Sequence, residues 1–205
     1  MHNDNFTILR IDGSARYADS ASRRLADEAV DRLRAAHPGA RLLRRDLGRG
    51  LPLLTEAWVA ANFTDPEQRS PDQRRELALS DILVEELQAA DAVVMAVPMY
   101  NFGVPAAVKA WIDLVCRARV TFRYTPNGPQ GLLRDRPVYL VMTTGGVPVG
   151  GPLDYASEYL RHVWGFLGVR DVHLITADGL NSEAGQALAR AREQLRRAIV
   201  ARAAA

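Results

Sequence analysis

One short segment constrains the fold of this chain more than any other. Residues 93–97 form an uninterrupted apolar run, which stops abruptly at the sequence Pro98-Met99-Tyr100-Asn101-Phe102-Gly103. Such a run is typical of a parallel strand buried on both faces of a sheet, and ligands of open α/β sheets bind beyond the carboxyl ends of these strands. The residues after the run therefore indicate a site for a flat ligand, although an ordinary strand-to-helix turn is the alternative.

Similar β-rich runs alternate along the chain with segments in which apolar residues recur at helical spacing. Residues 47–71 are largely irregular, and an extended stretch at 120–124 is followed by a turn at 125–129. Strands are predicted at residues 6–11, 40–46, 91–97, 137–143 and 172–177, and helices at 20–36, 56–62, 72–90, 105–117, 153–167 and 182–203.

This alternation predicts an α/β fold, because right-handed crossovers between such strands build a parallel sheet with helices on both faces. The first loop lacks the G-x-G-x-x-G sequence of dinucleotide-binding folds. We therefore predict one flavodoxin-like domain over residues 1–205, with a doubly wound five-stranded parallel sheet in the order 2-1-3-4-5. In that order the exits of the first, third and fourth strands are neighbours.

Composition excludes several classes of function. The net charge is only +2, and acidic residues are mixed among the arginines, so nucleic-acid binding is not expected. No apolar run could span a membrane, and residues 1–5 lack the features of a secretory signal, so a cytoplasmic protein without membrane association is expected. Cys116 is the only cysteine and the histidines lack metal-ligand spacing, so we expect an inert buried thiol and no metal site.

The exit of the first strand is rich in hydroxyl groups. Ser14, Ser20 and Ser22 surround the predicted start of the first helix. Hydroxyl donors and the unpaired N–H groups of a helix N-terminus together form a cradle for a phosphate, and the helix dipole favours the negative charge. The alternative is that Ser20 only caps the helix. Arg16 either adds positive charge to the cradle or points into solvent.

The other two exits complete a site of recognisable shape. Tyr100 and Phe102 flank Asn101 in the turn after the third strand, and Gly145-Gly146 follow the fourth. Glycines allow the main chain to approach a ligand closely. A phosphate cradle at one end and an aromatic slot at the other suit a mononucleotide with a planar head, for which FMN is the natural candidate.

Taken together, these motifs resemble those of the FMN-dependent NADH azoreductase family, which also reduces quinones. The resemblance covers residues from about 7 to 180. It is carried by the three serines, by Pro98-Met99-Tyr100-Asn101-Phe102, by Gly145-Gly146 and above all by Val120-Thr121-Phe122-Arg123-Tyr124-Thr125-x-Asn127-Gly128-Pro129-x-Gly131.

The resemblance implies a flavodoxin-like homodimer with FMN near the subunit interface. Ser14, Ser20 and Ser22 match the phosphate-loop serines of the family, and Tyr124 and Phe166 match aromatic residues that wall its substrate pocket, Phe166 from the second subunit. Phe102 is expected at the boundary between flavin and substrate. The flavin-contacting segments of the family match Met99, Tyr100, Asn101 and Phe102, directly after Pro98, and Thr143, Thr144, Gly145 and Gly146.

The implied activity is two-electron, ping-pong reduction of quinones and azo compounds. NADH or NADPH would give a hydride to the flavin, and the acceptor would then enter the same slot. No side chain is assigned as a general acid, because water could supply the protons. Two departures from the family bear on this activity: Ala21 stands where Gln is familiar, and Thr144 stands where Arg is common.

Two other functions stay open at this stage. One is a flavodoxin-type FMN electron carrier that does not oxidise NAD(P)H directly, and the other is a flavin-binding or apo protein with a regulatory role. Carriers are commonly very acidic, whereas this chain is close to neutral. The additional segments at residues 47–71 and 120–131 could wall a substrate pocket. These features favour the enzyme.

Overall fold

The computed structural model describes residues 6–203, and residues 1–5, for which no secretory signal is expected, lie outside this part of the chain. The strands are β1 (Thr7–Asp12), β2 (Arg41–Asp46), β3 (Ala92–Pro98), β4 (Phe122–Thr125), β5 (Gly128–Gly131), β6 (Val138–Thr143) and β7 (Val172–Ala177). The helices are α1 (Ala21–Ala36), α2 (Glu56–Phe63), α3 (Pro71–Ala89), α4 (Ala106–Val115), α5 (Ser157–Leu167) and α6 (Ala184–Ala203), with single 3₁₀ turns at Leu47–Arg49 and Pro66–Gln68.

The main sheet has the strand order β2-β1-β3-β6-β7, and all its strands are parallel. Since β6 and β7 are the fourth and fifth strands predicted for this sheet, the predicted order 2-1-3-4-5 is confirmed. Every residue of β1, β3 and β6 is buried, as expected for central strands covered by helices on both faces. The outer strand β2 is only partly buried.

Two apolar layers sandwich the sheet. One contains side chains from α2, α3, α4 and α5, including the rings of Trp111 and Trp164, whose centroids are 6.0 Å apart. The other contains side chains from α1 and α6, such as Leu25 and Leu195. Because helices cover both faces, a ligand can reach the strands themselves at the ends of the sheet.

Local sequence explains where several helices begin. Ser70 accepts a hydrogen bond from the N–H of Gln73, whose side chain in turn accepts one from the N–H of Ser70, and Pro71 fills the first helical position of α3. This capping box and proline are typical helix-start signals. Helix α5 starts later than predicted, because Asp154 Oδ1 accepts hydrogen bonds from the N–H groups of Ala156 and Ser157 and holds the preceding residues in a turn.

One pair of strands is not predicted by the sequence pattern. Residues 120–129 were expected to be an extended stretch and a turn, whereas the structure contains an antiparallel hairpin in which Phe122 pairs with Gly131 and Thr125 with Gly128. The second strand, Gly-Pro-Gln-Gly, has little intrinsic strand preference. Its conformation is fixed by pairing with β4 and by close packing of Gly131 on Gly168.

The carboxyl ends of the central strands are linked directly by main-chain hydrogen bonds. The N–H of Gly13 donates to the carbonyl of Ala96 (2.8 Å), and the N–H of Met99 donates to that of Thr143 (2.8 Å). The N–H of Thr144 donates to the carbonyl of Ala177 (3.1 Å). The loops that follow β1, β3, β6 and β7 are therefore held side by side at one end of the sheet.

Candidate functional site

A cavity of about 300 Å³ lies at this end of the sheet, within the size range of small-molecule sites. It brings together most of the residues predicted from the three strand exits. Ser14, Ser20, Ser22, Pro98, Met99, Tyr100, Thr143, Thr144 and Gly145 line it. Asn101, Phe102 and Gly146 belong to the same loops but lie outside this lining.

The serine loop, predicted as an anion cradle, places its hydroxyl groups at the start of α1. Ser20 is the N-cap of α1, and its hydroxyl accepts a long hydrogen bond of 3.5 Å from the N–H of Arg23. The same hydroxyl lies 3.2 Å from that of Ser22, and both side chains line the cavity. Ser20 is therefore a cap and a cavity residue at once. The first N–H groups of a helix have no partners within it, so hydroxyls and free N–H groups converge at the positive end of the helix dipole.

Arg23 holds the serine loop closed from outside the cavity. Its Nη2 donates to the carbonyl of Ser14 (2.6 Å) and to Asp46 Oδ1 (2.7 Å), and its Nε donates to the carbonyl of Arg16 (2.9 Å). Its guanidinium also lies over the ring of Tyr17, 4.6 Å from the ring centre. Partial burial raises the pKa of the Asp46 carboxyl, but hydrogen bonds from Arg23 and the Gly48 N–H outweigh that effect and hold the pKa below its usual value.

Beneath this loop lies a buried ion pair at the end of β1. Arg10 and Asp12 are 3% and 4% exposed, and their side chains pair at 2.9 Å. Arg10 also donates to the carbonyl of Arg23 (3.1 Å), and Arg23 Nη1 lies 3.5 Å from Asp12 Oδ2. These contacts connect the strand, the loop and the start of α1, so the cradle is rigidly supported.

The opening motif of the sequence forms a tight turn. Tyr100 and Gly103 exchange main-chain hydrogen bonds of 3.0 Å in both directions, and the residues between them, Asn101 and Phe102, have φ angles of 49° and 69°. Positive φ at both central positions identifies a type I′ turn, which favours Asn at the first position and Gly at the second. Phe102 therefore occupies a position whose backbone favours glycine, and its ring is 48% exposed.

The turn leaves hydrogen-bond donors free. Within the part of the chain that the structure describes, the N–H groups of Asn101 and Phe102 have no hydrogen-bond partner. The same holds, within residues 6–203, for the N–H groups of Gly145 and Gly146. Free main-chain donors beside an aromatic slot suit a planar ligand with acceptor atoms along one edge.

The loop after β6 is shaped by its contact with the loop after β7. The N–H of Asn181 donates to the carbonyl of Gly145 (2.8 Å), and a Cβ atom on Gly145 would lie 2.7 Å from the Asn181 side chain. A side chain at position 145 would therefore have to displace the amide group of Asn181. A Cβ atom on Gly146 would meet nothing within 4 Å. Thr144, which stands where the resembled family commonly has Arg, donates its hydroxyl hydrogen bond to the carbonyl of Val147.

Part of the cavity wall is not predicted by the three strand exits. It comes from the loop after β7, from α6 and from Arg24, and Arg16, for which both the cradle and solvent stayed open, also lines the cavity. The strand order could have predicted the first group, because β7 lies next to β6 and its exit must therefore adjoin Gly145. The lining residues that the sequence does not single out are Asp19, Arg24, Leu180, Asn181, Ala184 and Leu188.

The predicted substrate-pocket aromatics are divided between the two ends of the sheet. Phe102 lies at the cavity end. Tyr124 and Phe166 cluster around Phe122, with ring centroids 5.5 Å and 4.6 Å from it. The hairpin precedes β6 and the end of α5 precedes β7, so this cluster lies near the amino ends of those strands. Within one chain, Tyr124 and Phe166 are therefore separated from the cavity.

Other titratable groups of residues 6–203 form neither a metal site nor a reactive thiol. Nowhere in residues 6–203 do three His, Cys, Asp or Glu side chains gather closely enough to hold a metal ion. Burial raises the pKa of the Cys116 thiol to about 12, so the sulfur is protonated and unreactive at neutral pH. Of the helices within the described residues, none is long and apolar enough to cross a bilayer.

Comparison with known proteins agrees with this architecture. A protein-family model described as "Flavodoxin-like fold" matches residues 7–199. The chain is 51% identical over 188 residues to an FMN-dependent NADH:quinone oxidoreductase 1 of Hahella chejuensis, covering 92% of each sequence. It is 48% identical over 196 residues to an FMN-dependent NADH:quinone oxidoreductase of Aromatoleum aromaticum, covering 94% of this chain and 98% of the relative.

A solved structure gives the same result. The azoreductase from Bacillus anthracis superposes with a TM-score of 0.83 at 26% identity, covering 96% of this chain and 98% of that one. The resemblance to azoreductases and quinone reductases that the serine, Met-Tyr-Asn-Phe and Thr-Phe-Arg-Tyr-Thr motifs carry is confirmed by these relatives. The chain therefore belongs to the family of proteins with the flavodoxin-like fold.

Proposed function

We propose that this protein is an FMN-dependent NADH:quinone oxidoreductase that also reduces azo compounds. The observation that carries the proposal is the cavity itself, which joins a hydroxyl-rich helix N-terminus to a turn and a loop with free N–H groups. The relatives of about 50% identity are named for FMN, NADH and quinones, and a structural neighbour is named azoreductase.

The residues present fit FMN in chemistry as well as in size. Ser14, Ser20 and Ser22 would donate to the phosphate, whose charge the dipole of α1 and the guanidinium groups of Arg16 and Arg24 would balance. Ala21 supplies no side-chain donor, so these arginines offer a replacement for the missing Gln. When bound, FMN supplies the redox centre, which takes a hydride from NADH and passes two electrons to a quinone or azo acceptor.

The side chains and main chain of the protein would bind and orient the flavin and stabilise its reduced form. The free N–H groups of Asn101 and Gly145 would donate to the edge of the flavin and stabilise negative charge that builds up there during reduction. The ring of Phe102, held in the type I′ turn, would border the space that nicotinamide and acceptor occupy in turn. No side chain needs to act as a general acid, since the exposed surroundings allow water to deliver protons.

We further propose that a second copy of the chain completes the pocket. Tyr124 is 73% exposed, and with Phe166 it lies away from the cavity of its own chain. A two-fold related copy would carry these aromatic side chains to the Phe102 side of the partner's cavity. A homodimer acting on small aromatic acceptors is the assembly that this division of aromatic residues supports, and the cytoplasm is its proposed location.

Anaerobic reduction tests the enzyme against the electron carrier. The protein loaded with FMN should lose its yellow colour when NADH is added and regain it when a quinone is added, and NADPH serves as the second donor to be compared. A protein that binds FMN but is not bleached by either nucleotide is a carrier. A protein that stays colourless in the presence of FMN has no flavin function, and a fully active monomer in light scattering excludes the shared pocket.

A further inference from the structure

Arg119 adopts a backbone conformation that arginine rarely takes. It lies between α4 and β4 with a φ angle of 67°, and its N–H donates to the carbonyl of Phe122 at 2.7 Å. Glycine adopts this left-handed conformation without steric cost, whereas a residue with a Cβ atom is strained there. An arginine at such a position is a reason to look for a role of its side chain.

The Arg119 side chain lines a small aromatic pocket. Together with Phe63, Ala118, Arg123 and Tyr124 it encloses about 250 Å³. Phe63 at the end of α2 and Tyr124 in β4 are both well exposed, by 59% and 73%. Arg119 Nη1 donates to the carbonyl of Phe63 at 3.3 Å, which connects the two walls of the pocket. We name these five residues the arginine pocket.

The surroundings of the arginine pocket have an excess of positive charge. Arg117 is paired with Asp81 at 2.7 Å, but among the described residues neither Arg119 nor Arg123 has an acidic partner within 4.0 Å. Arg123 Nε donates instead to the neutral side chain of Gln130 at 2.9 Å. Arg69 adds a third cation nearby, and its Nη2 is buried without a hydrogen-bond partner.

The pKa of Arg69 is affected by this excess of positive charge. Its pKa is held below the usual value of arginine, first by burial and then by the positive charges of Arg117 and Arg119, which Asp81 and Asp65 only partly offset. An anion placed among these guanidinium groups would relieve their mutual repulsion. Arginine forks match the oxygens of carboxylate and sulfonate groups.

We propose that the arginine pocket is a subsite for the anionic substituent, a carboxylate or sulfonate, of an aromatic electron acceptor. The inference rests on the proposed function, because Tyr124 belongs to the surface that a second copy would present to the flavin. Phe63 and Tyr124 supply apolar contact for the ring, and Arg119 and Arg123 supply the charge. At about 250 Å³ the pocket accommodates a substituted ring edge, whereas whole ligands the size of a dinucleotide need sites at the upper end of about 300–1,000 Å³.

A matched pair of quinones tests the subsite. The FMN-loaded protein is assayed at saturating NADH with 1,2-naphthoquinone and with 1,2-naphthoquinone-4-sulfonate, which differ only in the sulfonate. The variant Arg119→Gly removes the guanidinium and relieves the backbone, so that it should fold at least as well as the wild type. We expect its kcat/KM for the sulfonated quinone to fall about tenfold, mainly through KM, and that for the neutral quinone to change less than about twofold.

Two controls separate charge from structure. Arg74→Ala removes an equal charge from the exposed face of α3, and it should leave both quinones unaffected. High salt should weaken the preference of the wild type for the sulfonated quinone, because exposed charges are screened. An equal effect of Arg119→Gly on both quinones, no effect on either, or a rise in KM for NADH instead would each overturn the subsite.

A binding measurement keeps this test independent of turnover. Naphthalene-2-sulfonate, which accepts no electrons, is titrated into the wild type and Arg119→Gly in a calorimeter. Weaker binding to the variant supports the subsite, and equal binding refutes it. If the wild type fails to oxidise NADH, the proposed function fails, and this comparison alone decides whether the pocket binds aromatic anions.

Discussion

The hydroxyl of Ser14 lies 3.4 Å from the phenol oxygen of Tyr100, so the loop after β1 and the turn after β3 touch at the mouth of the cavity. Ser14 Oγ also accepts a hydrogen bond of 3.1 Å from the N–H of Arg16. The serine that starts the anion cradle is thereby tied to the turn that presents Asn101 and Phe102. The two loops are consequently coupled through one pair of hydroxyl groups.

This contact predicts that two substitutions of Tyr100 weaken FMN binding to different extents. The variant Tyr100→Phe keeps the ring and loses one hydrogen bond, which contributes about 0.5–1.5 kcal/mol, so the Kd for FMN should rise about two- to tenfold. Tyr100→Ala also removes the ring and should raise Kd further. Quenching of flavin fluorescence on binding measures both constants. Equal losses in the two variants would show that the hydroxyl, and not the ring, dominates.

The serine cradle predicts discrimination between FMN and riboflavin. In the double variant Ser20→Ala and Ser22→Ala the phosphate loses two hydroxyl donors, and hydrogen bonds to charged groups contribute about 1.5–3 kcal/mol each. FMN binding should therefore weaken by at least about a hundredfold, while riboflavin, which lacks the phosphate, should bind as it does to the wild type. Because Ser20 also caps α1, the single variant Ser22→Ala serves as the control that leaves the cap intact. Unchanged FMN affinity in the double variant would show that these serines do not bind the phosphate and that Ser20 only caps the helix.

Arg23 should affect FMN affinity without touching the ligand. Removing its side chain in Arg23→Ala frees the carbonyls of Ser14 and Arg16 and leaves Asp46 unpaired, which should lower the free energy of unfolding by about 1–3 kcal/mol. The loop should open and the Kd for FMN should rise. Arg23→Lys keeps the positive charge but lacks the several fixed donors of a guanidinium group. This variant should therefore recover part of the lost stability but little of the lost FMN affinity.

Titrations with FMN and urea unfolding curves measure these effects. Arg34→Ala, which removes an exposed arginine of the same helix, provides the matched control. An Arg23→Ala protein that is destabilised but binds FMN with unchanged affinity would show that the loop keeps its shape without this arginine.

Much of the fold follows from sequence because burial imposes a simple pattern. The strand at residues 172–177 was predicted with the bounds that β7 has, and the strand order followed from the alternation of strands and helices. The hairpin was missed because Gly128 and Pro129 carry no strand signal of their own. Pairing with β4 and contact with the end of α5 determine their conformation, and such contacts distant in sequence leave no local periodicity.

The site was predicted less completely, for physical reasons that its residues show. Arg23 and Arg24 are adjacent arginines with different positions in the structure. Arg23 pairs with Asp46, whereas Arg24 lines the cavity. Their directions differ by about 100° around the helix, and only the tertiary position of Asp46 decides which one pairs. Likewise nothing in the sequence Asn101-Phe102 requires a type I′ turn at Phe102. The position of each predicted binding residue toward FMN stays a prediction.

The stability of the turn at residues 150–157, which contacts Phe102, should depend on pH through the Asp154 carboxyl. Its Oδ1 accepts hydrogen bonds of 2.9 Å from the N–H groups of Ala156 and Ser157, and its Oδ2 accepts one of 2.8 Å from that of Gly150. Burial raises the pKa of the Asp154 carboxyl, but these bonds and that from the Ser157 hydroxyl outweigh it and hold the pKa below its usual value. The adjacent Tyr155 N–H donates to the Phe102 carbonyl at 3.0 Å, so this turn supports the loop that carries Asn101 and Phe102.

A carboxyl whose pKa is lowered by folding stabilises the protein above its unfolded pKa of about 3.9, and that contribution is lost as the pH falls through the folded value. At pH 7, Asp154→Ala should therefore reduce the free energy of unfolding by about 0.5–2 kcal/mol, as the loss of a helix cap does. The difference between wild type and variant should shrink progressively below about pH 4. Asp31→Ala, at an exposed position of α1, should change stability little at either pH. Urea unfolding at both pH values measures the difference, and a gap that stays constant into the acidic range would show that the Asp154 charge contributes nothing to holding this turn.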